Sequence, residues 1–327
     1  MPRFYFFIIT ILFFSQCNRP KDSGAEKRSV EEISEELLIS PNDTVLLEVR
    51  RNISLENGDW SSAILDQEQI FYLDTTKPVR RLELAQLYFN YLDSNSSYFF
   101  KSYQLLQDFD FDFAPVYLLK GKQHFLIKNY EQSFNYLDRY LRQVPTDYEG
   151  YYYKGLVLKE IGDIQRATSL FQTAVEQNPN HIESYIELGH IYSAQGDSLA
   201  QYYYENAIRE DSTNIGSWYN LGMYFQNQQQ YSKAAKIYDR ILDIDSNDID
   251  ANFNLGYIYL KGNKLASSVE YFERVIVLDS NYSKAYFAKG FALKLSGKYD
   301  LAKQCFEKTL ELDNNFAEAR TELSGLK

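Results

Sequence analysis

The chain has 327 residues, of which 45% are hydrophobic and 16% aromatic, and its formal net charge at pH 7 is −11. This apolar content is enough to bury a sizeable core. The acidic balance disfavours nucleic acid and anionic lipid surfaces as electrostatic partners, because both are themselves negative. We expect most of the acidity to be a solvated surface, with basic partners as the functional alternative.

The first 16 residues have the pattern of a secretory signal peptide. Arg3 precedes an unbroken apolar run over residues 4–14, which is too short for a bilayer-spanning helix of about 20 residues. Residues 14–17, Phe-Ser-Gln-Cys, resemble a bacterial lipobox, in which the cysteine is acylated and becomes the first mature residue. We therefore expect Cys17 to carry a lipid such as palmitate. Ordinary cleavage and an uncleaved anchor are the alternatives.

Residues 17–43 predict the lipidated end and a flexible tether, because the segment after Cys17 is polar and charged. Within it, residues 30–39 have the pattern of a short amphipathic helix that either docks on the next helix or stays mobile. The second cysteine, Cys305, falls at an inward helical position and predicts a small buried hydrophobe. Cys17 therefore has no evident disulfide partner.

Residues 44–77 and 78–113 each predict a pair of helices with a weak version of the pattern that follows. Ala63 and Ile70 mark the second helix of the first pair, and Leu84 and Ala85 mark the first helix of the next. Neither pair has the Leu-Gly dipeptide of the later units, so both are degenerate.

Residues 114–316 repeat one pattern at an interval of 34 residues, with a single interval of 33. Each unit has a glycine, a small residue twelve positions later (eleven in the unit of Gly189) and, four positions after that, a large apolar residue. The glycines are Gly121, Gly155, Gly189, Gly222, Gly256 and Gly290; the small residues are Ser133, Ala167, Ala200, Ala234, Ser268 and Ala302; the large ones are Leu137, Phe171, Tyr204, Tyr238, Phe272 and Phe306. Each unit predicts two amphipathic helices, which must stack on neighbours to cover their apolar faces. A glycine allows two helix backbones to approach closely.

This pattern resembles the tetratricopeptide repeat (TPR), through Trp218, Leu221, Gly222, Phe225, Ala234 and Tyr238 in one unit and Pro145 and Pro179 at the ends of two others. Lysine departs from the usual leucine at Lys120, Lys154 and Lys289. The resemblance implies an all-α, right-handed superhelical solenoid. It would comprise two degenerate repeats over 44–113, six repeats over 114–316 and a capping helix over 317–327, with no second folded domain. With Cys17, the layout resembles the bacterial TPR lipoproteins.

No group of residues in the sequence predicts catalysis, a cofactor or a metal. His124, His181 and His190 fall in different units without the paired spacing of a zinc site, and His124 takes an inward position that predicts a core residue. Residues 108–113, Asp-Phe-Asp-Phe-Asp-Phe, mimic the start of a calcium loop but lack its later glycine and glutamate. We expect these phenylalanines to be buried and the carboxylates to face solvent.

In TPR proteins the first helices line a concave groove that receives an extended peptide or a partner helix, and the resemblance implies such a groove here. Its partner-binding residues would be Tyr152, Ile186, Tyr219, Asn220, Phe253, Asn254, Tyr257, Phe287 and Phe291. The two asparagines would hydrogen-bond the backbone of a bound peptide, because an amide both donates and accepts. The structural alternative is that the rings pack on the next repeat.

The sequence thus predicts a non-catalytic scaffold or adaptor of the bacterial cell envelope, which binds protein partners and reaches the membrane through its lipid. It would face the periplasm, and the outer membrane is favoured over the inner because Asn18, not aspartate, follows Cys17. The alternatives are a groove that binds a glycan or hydrophobic small molecule, and a spacer that self-associates through its C-terminal helix.

Overall fold

The computed structural model describes residues 28–91, 97–109 and 111–326. Across these residues the secondary structure consists of 18 α-helices in a repeat arrangement, without strands. The predicted all-α repeat fold is therefore confirmed. The predicted signal peptide, Cys17 and the first part of the tether lie outside the described residues.

Two compact units divide the chain, residues 1–161 and 162–327. Unit 1 holds α1 to α8, which are Val30–Ile39, Thr44–Glu56, Trp60–Leu73, Pro78–Asn90, Ser97–Gln107, Ala114–Leu126, Tyr130–Gln143 and Tyr148–Glu160. Each of α1 to α7 packs on the next helix in the chain, and α6 also contacts α4 and α8.

Unit 2 holds α9 to α18, which are Ile164–Gln177, Ile182–Ala194, Leu199–Glu210, Ile215–Asn227, Tyr231–Ile244, Ile249–Lys261, Leu265–Leu278, Ser283–Leu295, Tyr299–Leu312 and Ala317–Ser324. Consecutive helices pack together here too, and α10 contacts α12 as α14 contacts α16. The boundary between the units separates α8 from α9, the two helices of the repeat that begins at Tyr148.

Seven of the turns inside helix pairs each contain one residue in the left-handed backbone region. These residues are Gly58, Lys128, Gly162, Gly196, Gln229, Asn263 and Gly297, with φ between 57° and 85°. From Lys128 onward, each lies seven residues after the glycine of its repeat. Next to Gln229, the Gln230 N–H donates to the Phe225 carbonyl at 2.8 Å, which closes the helix end. The spacing of these turns gives each pair the same register.

Side-chain oxygens cap many of the helix starts. Asp43, Asp147 and Asp248 each accept hydrogen bonds from backbone N–H groups in the first turn of α2, α8 and α14. Such a cap contributes about 1 kcal/mol because it satisfies N–H groups that have no partner within the helix. The aspartates and asparagines between helices therefore position the start of each repeat.

Residues 30–39 of the predicted tether form α1 and are folded onto the first helix pair. Ile33 and Leu37 are buried beside Leu47 and Ile70. Ser29 and Glu32 form a reciprocal capping box at the start of α1. The apolar side of α1 thus packs against α2 and α3 of unit 1.

The first helix pair replaces the apolar core of later repeats with a polar pair. Counted from Ala63, Arg50 and Arg51 stand where later repeats have Leu-Gly. The Arg50 guanidinium donates to both carboxylate oxygens of Asp66, at 3.0 and 2.6 Å, and the Asp66 side chain is only 3% exposed. Arg51 hydrogen-bonds Gln67, which takes the place of the large apolar residue.

The Asp-Phe run follows our expectation in part. Asp108 and Asp112 are exposed, and Phe109 packs against the core cluster of Leu82 and Leu106. Phe111 and Phe113 correct the expectation, because they are 38% and 39% exposed. Asp112 accepts hydrogen bonds from the Tyr117 hydroxyl at 2.9 Å and the Gln143 amide at 2.6 Å; Asp110 lies outside the described residues.

No helix in the described part of the chain is long and apolar enough to cross a membrane.

Candidate functional site

The first helices of unit 2, α10, α12, α14 and α16, carry equivalent residues at equivalent places. Each has 13 residues and is backed by the second helix of its own repeat. Side chains at matching positions therefore recur from one first helix to the next. We define the first-helix stripe as the predicted groove residues Ile186, Tyr219, Phe253, Tyr257, Phe287 and Phe291.

A ring from the second helix lies against each glycine and sets the distance between the two helices. A Cβ atom at Gly222 would lie 2.8 Å from Cε1 of Tyr238, and one at Gly256 would lie 2.7 Å from Cε1 of Phe272. The predicted pairing of each glycine with a large residue is present. We expected the glycine to let two helix backbones approach each other; instead, the close contact is between the glycine backbone and the ring.

The stripe residues Tyr219, Phe253 and Phe287 pack against the corresponding second-helix rings. The centroid distances are 6.2 Å for Tyr219 and Tyr238, 5.4 Å for Phe253 and Phe272, and 5.8 Å for Phe287 and Phe306. All six stripe residues are half-buried. One part of each side chain thus belongs to the core, and the other remains accessible to a ligand.

At two positions of the stripe, the residue just before the next first helix packs against the stripe ring, a contact that our sequence interpretation missed. Phe253 lies 5.5 Å from Tyr282, and Phe287 lies 4.9 Å from Phe316, between ring centroids. Tyr282 and Phe316 are the N-cap residues of α16 and α18. Their interval of 34 residues, shared with Asp248, was the available signal.

At Tyr219 the equivalent N-cap residue is Asp248, so this position is polar. Burial raises the pKa of Asp248 above its ordinary value, and the neighbouring Asp250 adds to this effect. Burial also raises the pKa of Tyr219, and Asp250 and Asp248 reinforce the shift. We call Tyr219, Tyr238, Asp248 and Asp250 the Tyr219 cell.

The Tyr238 side chain lies fully buried at this cell, and its hydroxyl has no hydrogen-bond partner among the described residues. Burial raises the Tyr238 pKa, with smaller contributions from Tyr219 and Asp250, and the Tyr238 ring lies 6.2 Å from that of Tyr219. A buried hydroxyl without a partner costs about 1–3 kcal/mol. The Tyr219 cell therefore contains a buried hydroxyl whose hydrogen-bonding capacity is unsatisfied.

The two predicted peptide-binding asparagines have different surroundings. Asn220 is half-buried, whereas Asn254 is 8% exposed. The Asn254 Oδ1 accepts from the Gln226 amide at 3.5 Å, and a hydrogen bond with Asn254 also acts on the pKa of Tyr219. Asn254 thus joins a polar network between α12 and α14, and the role of both asparagines in peptide binding stays a prediction.

The remaining predicted site residues do not belong to the first helices of unit 2. Tyr152 is half-buried on α8 of unit 1, where its ring lies 5.4 Å from that of Tyr153. Cys17 lies outside the described residues. Cys305 is half-buried, and burial raises its thiol pKa, which disfavours the reactive thiolate.

Unit 1 contains a cavity of about 180 Å³ beside His124. The imidazole stacks on Tyr136 with a centroid distance of 5.3 Å, and its Nδ1 is buried without a partner among the described residues. Burial, with a smaller contribution from Lys120, holds the pKa of His124 below its ordinary value. His124 is thus half-buried at the wall of a cavity, not a fully buried core residue.

Among the described residues, no three histidine, cysteine, aspartate or glutamate side chains are grouped so that they could hold a metal ion.

The fold and the register of the stripe define a helical repeat protein, and comparisons with known proteins identify its repeats. Profiles described as "Tetratricopeptide repeat" match residues 149–181, 170–201, 219–283 and 283–316. These residues are therefore tetratricopeptide repeats. Such repeats commonly mediate binding between proteins.

Solved structures of repeat proteins share this fold. The C-terminal part of a TPR repeat-containing protein from Cytophaga hutchinsonii aligns with a TM-score of 0.63 and 16% identity, over 74% of this chain and 99% of that one. The APC/C hetero-tetramer Cut9-Hcn1 aligns with a TM-score of 0.53 and 14% identity, over 91% of this chain and 58% of that one. At these identities the likeness concerns the fold alone.

A curated relative is the "Probable biofilm formation methyltransferase WspC" of Pseudomonas putida (strain KT2440). It is 37% identical over 67 residues, which are 20% of this chain and 16% of that protein. The match spans about a sixth of the relative's length, so the activity in its name is not carried over to this chain.

Proposed function

We propose that this protein is a non-catalytic interaction scaffold that holds a segment of a protein partner along the first-helix stripe of unit 2. The observation that carries the proposal is the row of half-buried apolar side chains at two recurring positions of successive first helices. A contiguous apolar surface of this kind typically marks a binding site. Aromatic side chains are also the residues that contribute most at protein interfaces.

The contacts behind the stripe favour a preformed surface. Tyr219, Phe253 and Phe287 each rest on a buried ring of the second helix, so little side-chain freedom is left to lose on binding. Binding that orders few side chains keeps more of its interaction energy. The stripe offers five aromatic rings and the Ile186 side chain to a partner.

The experiment compares three forms of the full chain as baits in cross-linked affinity capture from the protein's own cell envelope. The first is wild type. The second carries Tyr219→Leu, Phe253→Leu and Phe287→Leu, which remove the rings but retain apolar side chains for the core. The matched control carries Val277→Ser, Tyr299→Ser and Leu301→Ser, three exposed second-helix residues outside the stripe.

We expect a small set of proteins to be lost from the stripe variant and retained by the control, with equal circular dichroism for all three baits. Identical protein sets from all three baits would refute the stripe as the binding surface. Capture of a glycan or hydrophobic small molecule, or of the chain itself, would replace the proposal with one of its two alternatives.

We further propose that Cys17 is acylated and anchors the protein in the cell envelope, facing the periplasm, with the outer membrane favoured. The support is the lipobox-like sequence at residues 14–17 and the absence of aspartate at Asn18. Metabolic labelling with a palmitate analogue tests this proposal. We expect label in the wild type and none in Cys17→Ala; an unlabelled wild type would contradict the lipid anchor.

A further inference from the structure

The Tyr219 cell differs chemically from the two positions that follow it in the stripe. Phe253 meets Tyr282 and Phe287 meets Phe316, so those two positions are aromatic on both sides. At Tyr219 the same place is taken by the carboxylate of Asp248. We propose that the Tyr219 cell receives the guanidinium group of an arginine in the bound partner segment. This inference rests on the proposed function of the stripe.

The carboxylates of the cell are available to a cation. In the described part of the chain, neither Asp248 nor Asp250 forms an ion pair with a lysine, arginine or histidine. Asp250 is exposed and Asp248 is half-buried. Asp248 already accepts the Ala251 N–H at 2.7 Å as the helix cap, so Asp250 provides the freer carboxylate. The net charge of −11 also favours a basic segment.

The rest of the cell suits a planar cation with several donors. The half-buried rings of Tyr219 and Phe253 offer aromatic surface on which a guanidinium stacks. The Tyr238 ring lies fully buried behind Tyr219, with 6.2 Å between the ring centroids, and its hydroxyl has no hydrogen-bond partner among the described residues. A guanidinium has five N–H donors in one plane and can stack on a ring while it hydrogen-bonds a carboxylate, whereas a lysine ammonium is a compact point charge.

The neighbouring positions of the stripe define the rest of the segment. Packed helices lie about 8–10 Å apart, and an extended chain advances about 3.3 Å per residue. Successive positions of the stripe should therefore be reached by every third residue of an extended partner. The expected segment has an arginine, then two residues, an apolar residue, two residues and a second apolar residue, in one of the two chain directions.

Fluorescence anisotropy with labelled peptides tests this with the full chain. The probes are acetyl-Arg-Gly-Ser-Phe-Gly-Ser-Phe-amide, the peptide of reversed order, and versions with lysine or uncharged citrulline in place of arginine. The variants are Asp250→Asn in the cell, Asp243→Asn as a control with the same charge change outside it, and Phe287→Ser elsewhere in the stripe.

We expect the arginine peptide, in one of its two sequence orders, to bind about five-fold more tightly than the citrulline peptide of the same order. The gain corresponds to one cation–π contact and one exposed ion pair. Asp250→Asn should remove this preference, and Asp243→Asn should keep it. Equal binding of the arginine and citrulline peptides would overturn the inference, as would a preference that survives Asp250→Asn.

The variant at Phe287 separates the two proposals. If Phe287→Ser weakens every peptide while Asp250→Asn changes nothing, the stripe binds segments but the arginine assignment is wrong. If Phe287→Ser also changes nothing, or if every peptide binds with a Kd weaker than about 1 mM, the proposed function and the arginine assignment both fail.

Discussion

At the scale of single residues, the glycine beneath each second-helix ring sets the geometry of the stripe. The ring of Phe272 occupies the space that a Cβ at Gly256 would need. The same second helix places Ser268, whose buried hydroxyl donates to the Gly256 carbonyl at 2.9 Å. Ring and hydroxyl together fix α14 against α15 and so fix the direction of Phe253.

Gly256→Ala should therefore lower the free energy of unfolding by about 1 kcal/mol. Overpacking costs about 1–3 kcal/mol, centred near 2, and the higher helix propensity of alanine offsets about 1 kcal/mol of it. Denaturant unfolding followed by circular dichroism measures the change. Gly262→Ala is the control, because a Cβ there meets its nearest atom at 3.4 Å. Equal stability of the two variants would contradict the role of the Gly256 contact.

His124 should make unit 1 less stable in acid. Its pKa in the folded protein lies below the ordinary value of 6.5, through burial and Lys120, so the unfolded chain binds the proton better. Stability is therefore lost as pH falls below about 6.5. Denaturant midpoints between pH 7.5 and 5 should fall less steeply for His124→Gln than for wild type. Identical slopes would show that His124 titrates normally.

The partners of the lysines that depart from the TPR pattern could not be predicted from the sequence. Lys154 forms an ion pair with Asp138 and lies 4.3 Å from the centre of the Phe134 ring. Lys289 pairs with Glu273 at 3.5 Å, and the Lys120 ammonium donates to the Phe109 carbonyl at 2.9 Å. The sequence identified the departures, but their partners lie outside the lysines' own helices and required the structure.

At the scale of helix pairs, α2 and α3 have the repeat geometry with a different core. Arg50 and Asp66 stand where a later repeat has Leu221 and Ile237. The Ala63 position and the left-handed turn at Gly58 keep the same register. The weak pattern at 44–77 predicted this helix pair, whereas its assignment as a tetratricopeptide repeat stays a prediction.

Asp66→Ala should lower the free energy of unfolding by about 2–3 kcal/mol, because it leaves a largely buried guanidinium without its partner. The Arg50 side chain is 26% exposed, so the cost should lie below that of a fully buried pair. Replacing both residues with the later repeat's pair, Arg50→Leu with Asp66→Ile, should restore most of the stability. A double variant as unstable as the single one would show that the pair is needed for more than mutual neutralisation.

At the scale of the whole molecule, the 34-residue interval predicted the all-α repeat fold and the helix pairs that the structure contains. The glycine, small and large positions were readable because stacking imposes one geometry on every unit. The closing residues Tyr282 and Phe316 were missed because they lie just before their helices, outside the periodic apolar pattern. The polar character of the Tyr219 cell depends on contacts between repeats, which spacing alone does not reveal.

The most direct measurement places a photo-crosslinking amino acid, benzoylphenylalanine, on the stripe in living cells. One variant carries it at Tyr257, a half-buried stripe residue, and the control carries it at Val277, which is 80% exposed on the second helix α15. We expect light to produce a covalent adduct between a discrete partner protein and the crosslinker at position 257, and no such adduct with the crosslinker at position 277. Adducts from position 277 alone, or equally from both, would contradict the claim that partners bind along the first-helix stripe.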